Sequence, residues 1–227
     1  MLTMVGYCWL CHQNLYFAHH GICCICQRQL KRLQKVCPRC ALPAEAESIS
    51  CGRCLKRPPP WQQLVALTDY APPLSQLIQR YKYHSTPQLA PVLARLFLLH
   101  WQQGYREGRW HKPDYILGIP LHRKKRWQRG FDHIELMTYS LSHWLQCTHR
   151  PDLLQRSRAT LTQRGLSATQ RKTNLKNAFQ LQGDFVDQHV AIFDDVITTG
   201  TTLREASQLL IRAGARSVQA WAICRTL

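Results

Sequence analysis

The sequence predicts an α/β fold in which a parallel sheet carries helices on its faces and follows a small cysteine-rich module. Short apolar segments alternate with helical patterns from Leu64 onward, which is typical of a parallel sheet. Nine of the 11 cysteines lie within the first 54 residues and set that part of the chain apart. The stiff sequence "RPPP" at 57–60 predicts a boundary between domains at 1–57 and 61–227.

The individual elements follow from the spacing of apolar residues. The segment 64–70 alternates and contains β-branched residues, whereas Leu74, Leu77, Ile78 and Tyr81 recur at helical spacing. Predicted strands cover 64–70, 115–122 (ending at Pro120), 191–195 and 217–224. Predicted helices cover 72–84, 88–103, 133–145 and 201–215, the last closed by Gly214.

Four C-x-x-C pairs share one spacing in the cysteine-rich module. A C-x-x-C turn places two thiolates on one face, and two such turns complete a tetrahedral Zn²⁺ site. Similar gaps between the pairs favour two tandem structural zinc ribbons, although an interleaved pairing with longer crossings is an alternative. The predicted ligands are Cys8, Cys11, Cys23 and Cys26 in one site and Cys37, Cys40, Cys51 and Cys54 in the other. Cys24 is a spare thiol that could replace Cys23. Four such pairs argue against a redox motif.

Charge and composition restrict the class of protein further. The formal charge of +17, from 30 Lys and Arg against 13 acids, suggests a polyanionic partner; the alternative is a basic protein without one. A hydrophobic content of 45% suffices for a packed core. No apolar run reaches the ~18 residues of a membrane span, and the signal-peptide pattern is missing. We therefore expect a cytoplasmic location, no membrane insertion, and cysteines that bind metal rather than form disulfides.

The stretch "VAIFDDVITTGTTL" at 190–203 predicts a sugar-phosphate site. Asp194 and Asp195 end an apolar strand, and ligands of parallel sheets bind at the carboxyl ends of strands. Their carboxylates suit ribose hydroxyls, while the following loop offers backbone N–H groups and hydroxyls to a 5′-phosphate. The predicted 5′-phosphate ligands are Thr198, Thr199, Gly200, Thr201 and Thr202. A Walker B strand is excluded because G-x-x-x-x-G-K-[ST] is absent; a strand–turn–helix without a ligand is the remaining alternative.

This stretch resembles the phosphoribosyl pyrophosphate (PRPP) motif of type I phosphoribosyltransferases. With the cysteine-rich start, "RGFDH" at 129–133 and "QRGLSATQRKTN" at 163–174, nearly the whole chain resembles the ComF family, also called ComFC or GntX, in its long form with a double zinc ribbon. The family usually shows R-G-F-N-Q, so Asp132 and His133 depart from its pattern. The resemblance implies a type I phosphoribosyltransferase-like domain and a link to natural competence or to DNA as a nutrient.

The resemblance also implies roles for individual residues. Asp194 and Asp195 would hold the ribose of PRPP, and the segment 119–122 corresponds to the pyrophosphate loop. The implied pyrophosphate or anion ligands are Pro120, Leu121, His122, Arg123, Arg126, Arg129 and Arg171. Arg156, Arg158 and Gln163 would belong to a region that closes over the site. Mg²⁺ would accompany PRPP, because the charge of the diphosphate requires compensation.

Two basic stretches, 123–129 and 156–176, border the predicted site. They are either solvated faces or anion contacts, and Trp127 and Phe131 either stack bases of single-stranded DNA or pack beneath a loop. One hypothesis is that the protein acts in DNA uptake or utilisation, binds PRPP and single-stranded DNA, and contacts DNA-uptake or helicase proteins. Another is an active phosphoribosyltransferase with an unidentified base or other nucleophile as acceptor. A zinc-ribbon scaffold alone leaves the PRPP motif unexplained.

Overall fold

The structure, a computed structural model, describes residues 6–46, 49–121, 126–127, 129–156 and 178–226. Its strands are β1 (Gly6–Tyr7), β2 (Asn14–Leu15), β3 (Gln63–Asp69), β4 (Tyr115–Gly118), β5 (Thr148–His149), β6 (Leu154–Arg156), β7 (Phe179–Leu181), β8 (His189–Ile197) and β9 (Ser217–Arg225). Its α-helices are α1 (Cys24–Gln29), α2 (Gly52–Lys56), α3 (Leu74–Tyr83), α4 (Leu89–Arg106), α5 (His133–Leu145) and α6 (Thr201–Arg212), and a 3₁₀ turn covers Ala18–His20.

A five-stranded sheet forms the centre of the molecule, in the order β3–β9–β8–β4–β5. Every neighbouring pair is parallel, which confirms the predicted fold class. β1 with β2 and β6 with β7 form separate antiparallel pairs. Because β8 is the middle strand of the sheet, the residues at its carboxyl end lie at the centre of the sheet edge where ligands bind in such folds.

The two faces of the sheet pack against different elements, as the two-residue period of a strand requires. On β8, Ala191 and Phe193 pack in the hydrophobic cluster that contains α3, α4 and α5. Val190 and Ile192 instead pack in the cluster that contains α6, β6 and β7. The neighbouring Asp194 and Asp195 therefore point toward opposite faces of the sheet.

The boundaries of two strands differ from the prediction. β4 ends at Gly118 rather than Pro120, and β8 continues past both acids to Ile197. The acids are therefore in the last part of a strand, and not in the loop that follows it. β5, β6 and β7 were not predicted, because strands of two or three residues are too short to show a two-residue alternation.

None of the helices in the described part of the chain is both long enough and apolar enough to cross a lipid bilayer. The predicted domain boundary at 57–60 lies between α2 and β3 and stays a prediction.

Candidate functional site

The loop between β8 and α6 contains the residues predicted to bind a 5′-phosphate. Gly200 is the N-cap of α6 and has a φ of 73°, a conformation that favours glycine. A Cβ atom on Gly200 would also lie 3.2 Å from Cη2 of Trp61. The hydroxyls of Thr199 and Thr201 are 2.8 Å apart, and Thr198 and Thr199 are exposed. Hydroxyls and the N-terminus of a 12-residue helix thus face the same solvent-accessible region.

Asp195 is held in a buried ionic cluster on the α3 and α5 side of the sheet. Its side chain is 6% exposed, and its Oδ2 lies 2.6 Å from Nζ of Lys82 and 2.9 Å from Nε2 of His133. Burial alone would raise the pKa of Asp195, but Lys82 and His133 lower it well below its usual range. The carboxylate is consequently charged and fixed in place.

His133 links this cluster to the arginine before α5. Nη1 of Arg129 lies 2.9 Å from Nδ1 of His133. The same Nη1 lies 3.2 Å from Nε2, so the guanidinium is over the face of the imidazole ring. A carboxylate can only accept, so Nε2 of His133 donates to Asp195. The hydroxyl of Tyr81 donates to the backbone carbonyl of His133 at 2.7 Å. These contacts connect Arg129 and α3 with Asp195 on β8.

Asp194 occupies a different environment on the α6 and β6 side of the sheet. Its carboxylate is half-buried, and its Oδ1 accepts from the backbone N–H of Asp195 at 2.9 Å. Burial and the neighbouring charge of Asp195 raise the pKa of Asp194 to about 7. The positive charges of Lys82 and Arg156 act in the opposite direction and lower this pKa. The carboxyl group of Asp194 is therefore only partly ionised near neutral pH.

A cleft of about 370 Å³ opens at the carboxyl end of β4. Neither acid is among its lining residues, but Gly118 in its wall pairs with Phe193, the residue before Asp194, across the two strands. A Cβ atom on Gly118 would approach Cγ2 of Ile134 to 2.7 Å, so glycine allows α5 to pack closely there. Among the residues that line the cleft are Pro120, Leu121, Arg126, Asp132, Glu135, Asp152 and Arg156. The predicted anion ligands Pro120, Leu121 and Arg126 thus share one cleft.

Asp132, which departs from the family pattern, begins α5. Its Oδ1 accepts from the backbone N–H groups of Ile134 and Glu135 at 3.1 and 3.2 Å. Asn and Asp are both good N-caps, so the exchange preserves the start of the helix. The added charge lies at the positive end of the helix dipole.

Several residues predicted for the site lie outside the described part of the chain. They are His122, Arg123, Arg158, Gln163 and Arg171. The two aromatic residues considered for DNA stacking differ in environment. Phe131 is half-buried against Tyr81, with ring centroids 5.4 Å apart, which favours a packing role. Trp127 is 85% exposed and remains a candidate for stacking.

The eight predicted metal ligands form two groups of four thiols. In each group, all the sulfur atoms lie within 4.8 Å of one another, with Cys8, Cys11, Cys23 and Cys26 in one group and Cys37, Cys40, Cys51 and Cys54 in the other. The Sγ–Sγ distances are 3.7 Å for Cys11–Cys23 and 3.8 Å for Cys40–Cys51. A tetrahedron with Zn–S bonds of about 2.3 Å has edges of about 3.8 Å, so both groups fit a metal ion of this kind.

The thiols within each group differ in pKa, since burial and neighbouring thiols raise the pKa of Cys26 and Cys54. Burial alone would raise the pKa of Cys8 and Cys37, but hydrogen bonds from backbone N–H groups lower them to about 6 and about 7. One such bond runs from the N–H of Cys51 to Sγ of Cys37, at 3.3 Å. Cys24 is exposed at the start of α1 and is not part of either group. Both clusters can therefore hold a metal ion.

Part of this chain is similar to known phosphoribosyltransferases. The sequence profile of the "Phosphoribosyl transferase domain" family matches residues 152–226, from β6 to β9. Two solved structures are similar to part of this chain. An adenine phosphoribosyltransferase has a TM-score of 0.43 and 22% identity, with 64% of this chain and 74% of that chain covered. A purine phosphoribosyltransferase from Pyrococcus horikoshii has a TM-score of 0.35 and 17% identity, with 72% and 88% covered.

Full-length relatives are much more similar. The DNA utilization protein YhgH of Escherichia coli K12 is 47% identical over 227 residues, which is 100% of both chains. The protein of the same name in Salmonella typhimurium is 46% identical over the same length. Competence protein F of Haemophilus influenzae is 38% identical over 221 residues, 96% of both chains. Since the identity extends over both the cysteine clusters and the phosphoribosyltransferase-like domain, this chain belongs to the ComF family, with the YhgH proteins and competence protein F among its members.

Proposed function

We propose that this chain acts in the uptake or utilisation of DNA, with a PRPP-binding pocket at the end of β8 and single-stranded DNA on the basic surface beside it. The observation that carries the proposal is the half-buried Asp194 next to a threonine-rich loop at the N-terminus of α6. The names of the relatives, DNA utilization protein and competence protein, support the cellular role. A cytoplasmic location and contacts with uptake or helicase proteins are part of the proposal.

In this pocket, the loop 198–202 would receive the 5′-phosphate, and Asp194 would accept hydrogen bonds from the ribose hydroxyls. Asp195 is the second proposed ribose ligand, although its Oδ2 already accepts from Lys82 and His133. Pro120, Leu121 and Arg126 line the adjacent cleft, where the diphosphate would lie. Mg²⁺ would offset the charge of the diphosphate, and zinc is the proposed ion in both cysteine clusters.

Calorimetric titration with PRPP and Mg²⁺ tests the pocket. At about pH 8, above the raised pKa of Asp194, we expect the wild-type protein to bind and Asp194→Asn to bind at least about tenfold more weakly, because a charged acceptor of ribose hydroxyls is replaced by a neutral amide. Asp184→Asn is a matched control, since Asp184 is an exposed acid outside the cleft. Equal binding by wild type and Asp194→Asn, or no binding by wild type, would reject the proposed pocket.

Binding of single-stranded DNA is tested with a short oligothymidylate. Trp127→Ala is expected to weaken binding by about tenfold, because stacking on an exposed aromatic ring contributes about 1–3 kcal/mol per base. The affinity of the wild-type protein should also fall steeply between about 50 and 200 mM salt, as phosphate contacts require.

Trp144 provides the control for this experiment, because it is half-exposed at the far end of α5. Trp144→Ala should leave the affinity within about twofold of wild type. If the two variants lose the same affinity, or if binding does not depend on salt, the proposed DNA surface is wrong.

The cleft supports a second candidate function, that of an active phosphoribosyltransferase. Its volume of about 370 Å³ is within the range of small-molecule sites and leaves room for an acceptor beside the ribose. Catalysis would rest on electrostatic stabilisation of the departing pyrophosphate and of a positively charged ribose. Release of pyrophosphate from PRPP, measured with candidate acceptors that include DNA ends, separates turnover from binding alone.

A further inference from the structure

Arg225, a buried residue at the end of β9, joins the second cysteine cluster to the threonine-rich loop. Arg225 is 6% exposed. Its Nε donates to the backbone carbonyl of Cys40 at 3.0 Å, on the side of the cysteine cluster. Its Nη1 donates to the carbonyl of Ile197 at 3.0 Å and also to that of Thr198, on the side of the loop. One guanidinium therefore connects a metal-ligating turn with the first residue of the proposed phosphate loop.

Trp61 makes a second connection between the same two regions. Its indole N–H donates to the carbonyl of Arg39 at 2.6 Å, and Arg39 lies between two cysteines of the cluster. Its ring reaches Gly200, because a Cβ atom there would lie 3.2 Å from Cη2. Arg204 of α6 covers the ring, with its guanidinium carbon 5.9 Å from the ring centroid. The indole thus lies between the cysteine turn and the N-terminus of α6.

The first cysteine cluster packs against α3 and α4. A Cβ atom on Gly21, just before Cys23, would come within 2.2 Å of Cγ2 of Val92 in α4. The guanidinium of Arg80 in α3 lies 4.8 Å from the ring centroid of Trp9. The two clusters have the same kind of ligands but different neighbours. Among the described contacts, those of the second cluster reach the loop 198–202, whereas the first cluster packs against α3 and α4.

We propose that the metal-loaded second cysteine cluster positions the loop 198–202 through Arg225 and Trp61, and so sets the affinity of this loop for a sugar phosphate. The effect on affinity rests on the proposed function, whereas the effect on the loop does not. Four thiolates around a metal ion form a closed, rigid site in a segment with little core of its own. Without the ion, the carbonyl of Cys40 is no longer fixed, and the guanidinium that orders Ile197 and Thr198 loses its other anchor.

The test compares matched variants that each remove one ligand, Cys51→Ala in the second cluster and Cys11→Ala in the first. Metal analysis should give about two ions per chain for wild type and about one for each variant. Hydrogen exchange of peptides covering 198–204 should accelerate about tenfold or more in Cys51→Ala but stay within about twofold of wild type in Cys11→Ala. The affinity for ribose 5-phosphate should fall in Cys51→Ala and stay close to that of wild type in Cys11→Ala.

A third variant removes the hydrogen bonds of Arg225 while all the metal ligands stay in place. Arg225→Lys keeps the charge, but its single nitrogen cannot reach carbonyls on both sides as the planar guanidinium does. It should retain about two metal ions per chain and still show accelerated exchange at 198–204.

The outcomes distinguish this inference from the proposed function. Equal exchange in Cys51→Ala and Cys11→Ala, or normal exchange in both Cys51→Ala and Arg225→Lys, would overturn the inference. If wild type does not bind ribose 5-phosphate, the proposed ligand is wrong, and the difference in exchange between the two cysteine variants still decides whether the cluster positions the loop.

Discussion

Lys82→Met is expected to lower the free energy of unfolding by about 3 kcal/mol, measured by urea denaturation of the metal-loaded protein near neutral pH. The substitution keeps most of the side-chain volume but leaves the carboxylate of Asp195 buried without its ammonium partner. The two side chains are only 17% and 6% exposed, and their closest atoms are 2.6 Å apart. His133 still donates to Asp195, which places the expected loss near the lower end of the range for a broken buried ion pair.

The pH dependence of this loss follows from the two pKa shifts. The folded-state pKa of Asp195 is lowered, so its contribution is complete above the unfolded value of about 4 and fades as the pH falls below it. The pKa of Lys82 is raised, because Asp195 outweighs the effect of burial, so its contribution is complete below about pH 10 and fades above. The pair should therefore contribute fully between about pH 5 and 9, and the stability difference between wild type and Lys82→Met should shrink below about pH 4.

Two controls show whether the effect belongs to a buried pair. Adding Asp195→Asn to Lys82→Met removes the unpaired charge and should recover part of the lost stability, since replacing both members of a buried pair is far less costly than removing one. Arg150→Met breaks the exposed pair with Asp152 and should cost less than about 1 kcal/mol. If Lys82→Met costs no more than Arg150→Met, the ionic cluster does not stabilise the fold.

The buried position of Lys82 could be predicted from the sequence, but its partner could not. Leu74, Leu77, Ile78 and Tyr81 predicted the buried face of α3, and all four are buried. Lys82 continues this series at the eighth position after Leu74, so it falls on the apolar stripe. A lysine on that stripe was a usable sign of a buried acid, but the sequence could not identify which one. The partner lies 113 positions further along the chain, at Asp195, and only the packing of α3 on the sheet brings them together.

The fold and the cysteine grouping were predictable because both rest on local patterns. Alternating strands and helices predicted the parallel sheet, and equal C-x-x-C spacing predicted the two groups of thiols. The connection made by Arg225 was not predictable, because it depends on carbonyl groups at Cys40 and Ile197, which carry no sequence signal. The different surroundings of Asp194 and Asp195 follow from the two-residue period of a strand, once β8 is known to extend past both acids.

Asp194→Asn is expected to stabilise the ligand-free protein while it weakens PRPP binding. The pKa of Asp194 is raised to about 7 by burial and by Asp195, so the folded state holds a proton that the unfolded state loses above about pH 4. Wild-type stability should therefore fall as the pH rises from about 4 to 7 and then level off. Asparagine does not titrate, and its side-chain oxygen can still accept from the N–H of Asp195.

Relative to wild type, Asp194→Asn should thus gain stability on the order of 2 kcal/mol at about pH 8, and the gain should vanish near pH 4. Urea denaturation at several pH values measures this difference, and Asp194→Ala, which also loses the acceptor, should gain less. A gain that does not vary with pH, or a loss at pH 8, would contradict the assigned environment of Asp194. An acid that destabilises the protein at neutral pH, and whose removal weakens PRPP binding, has the properties of a ligand-binding group, because sites tuned for binding often oppose stability.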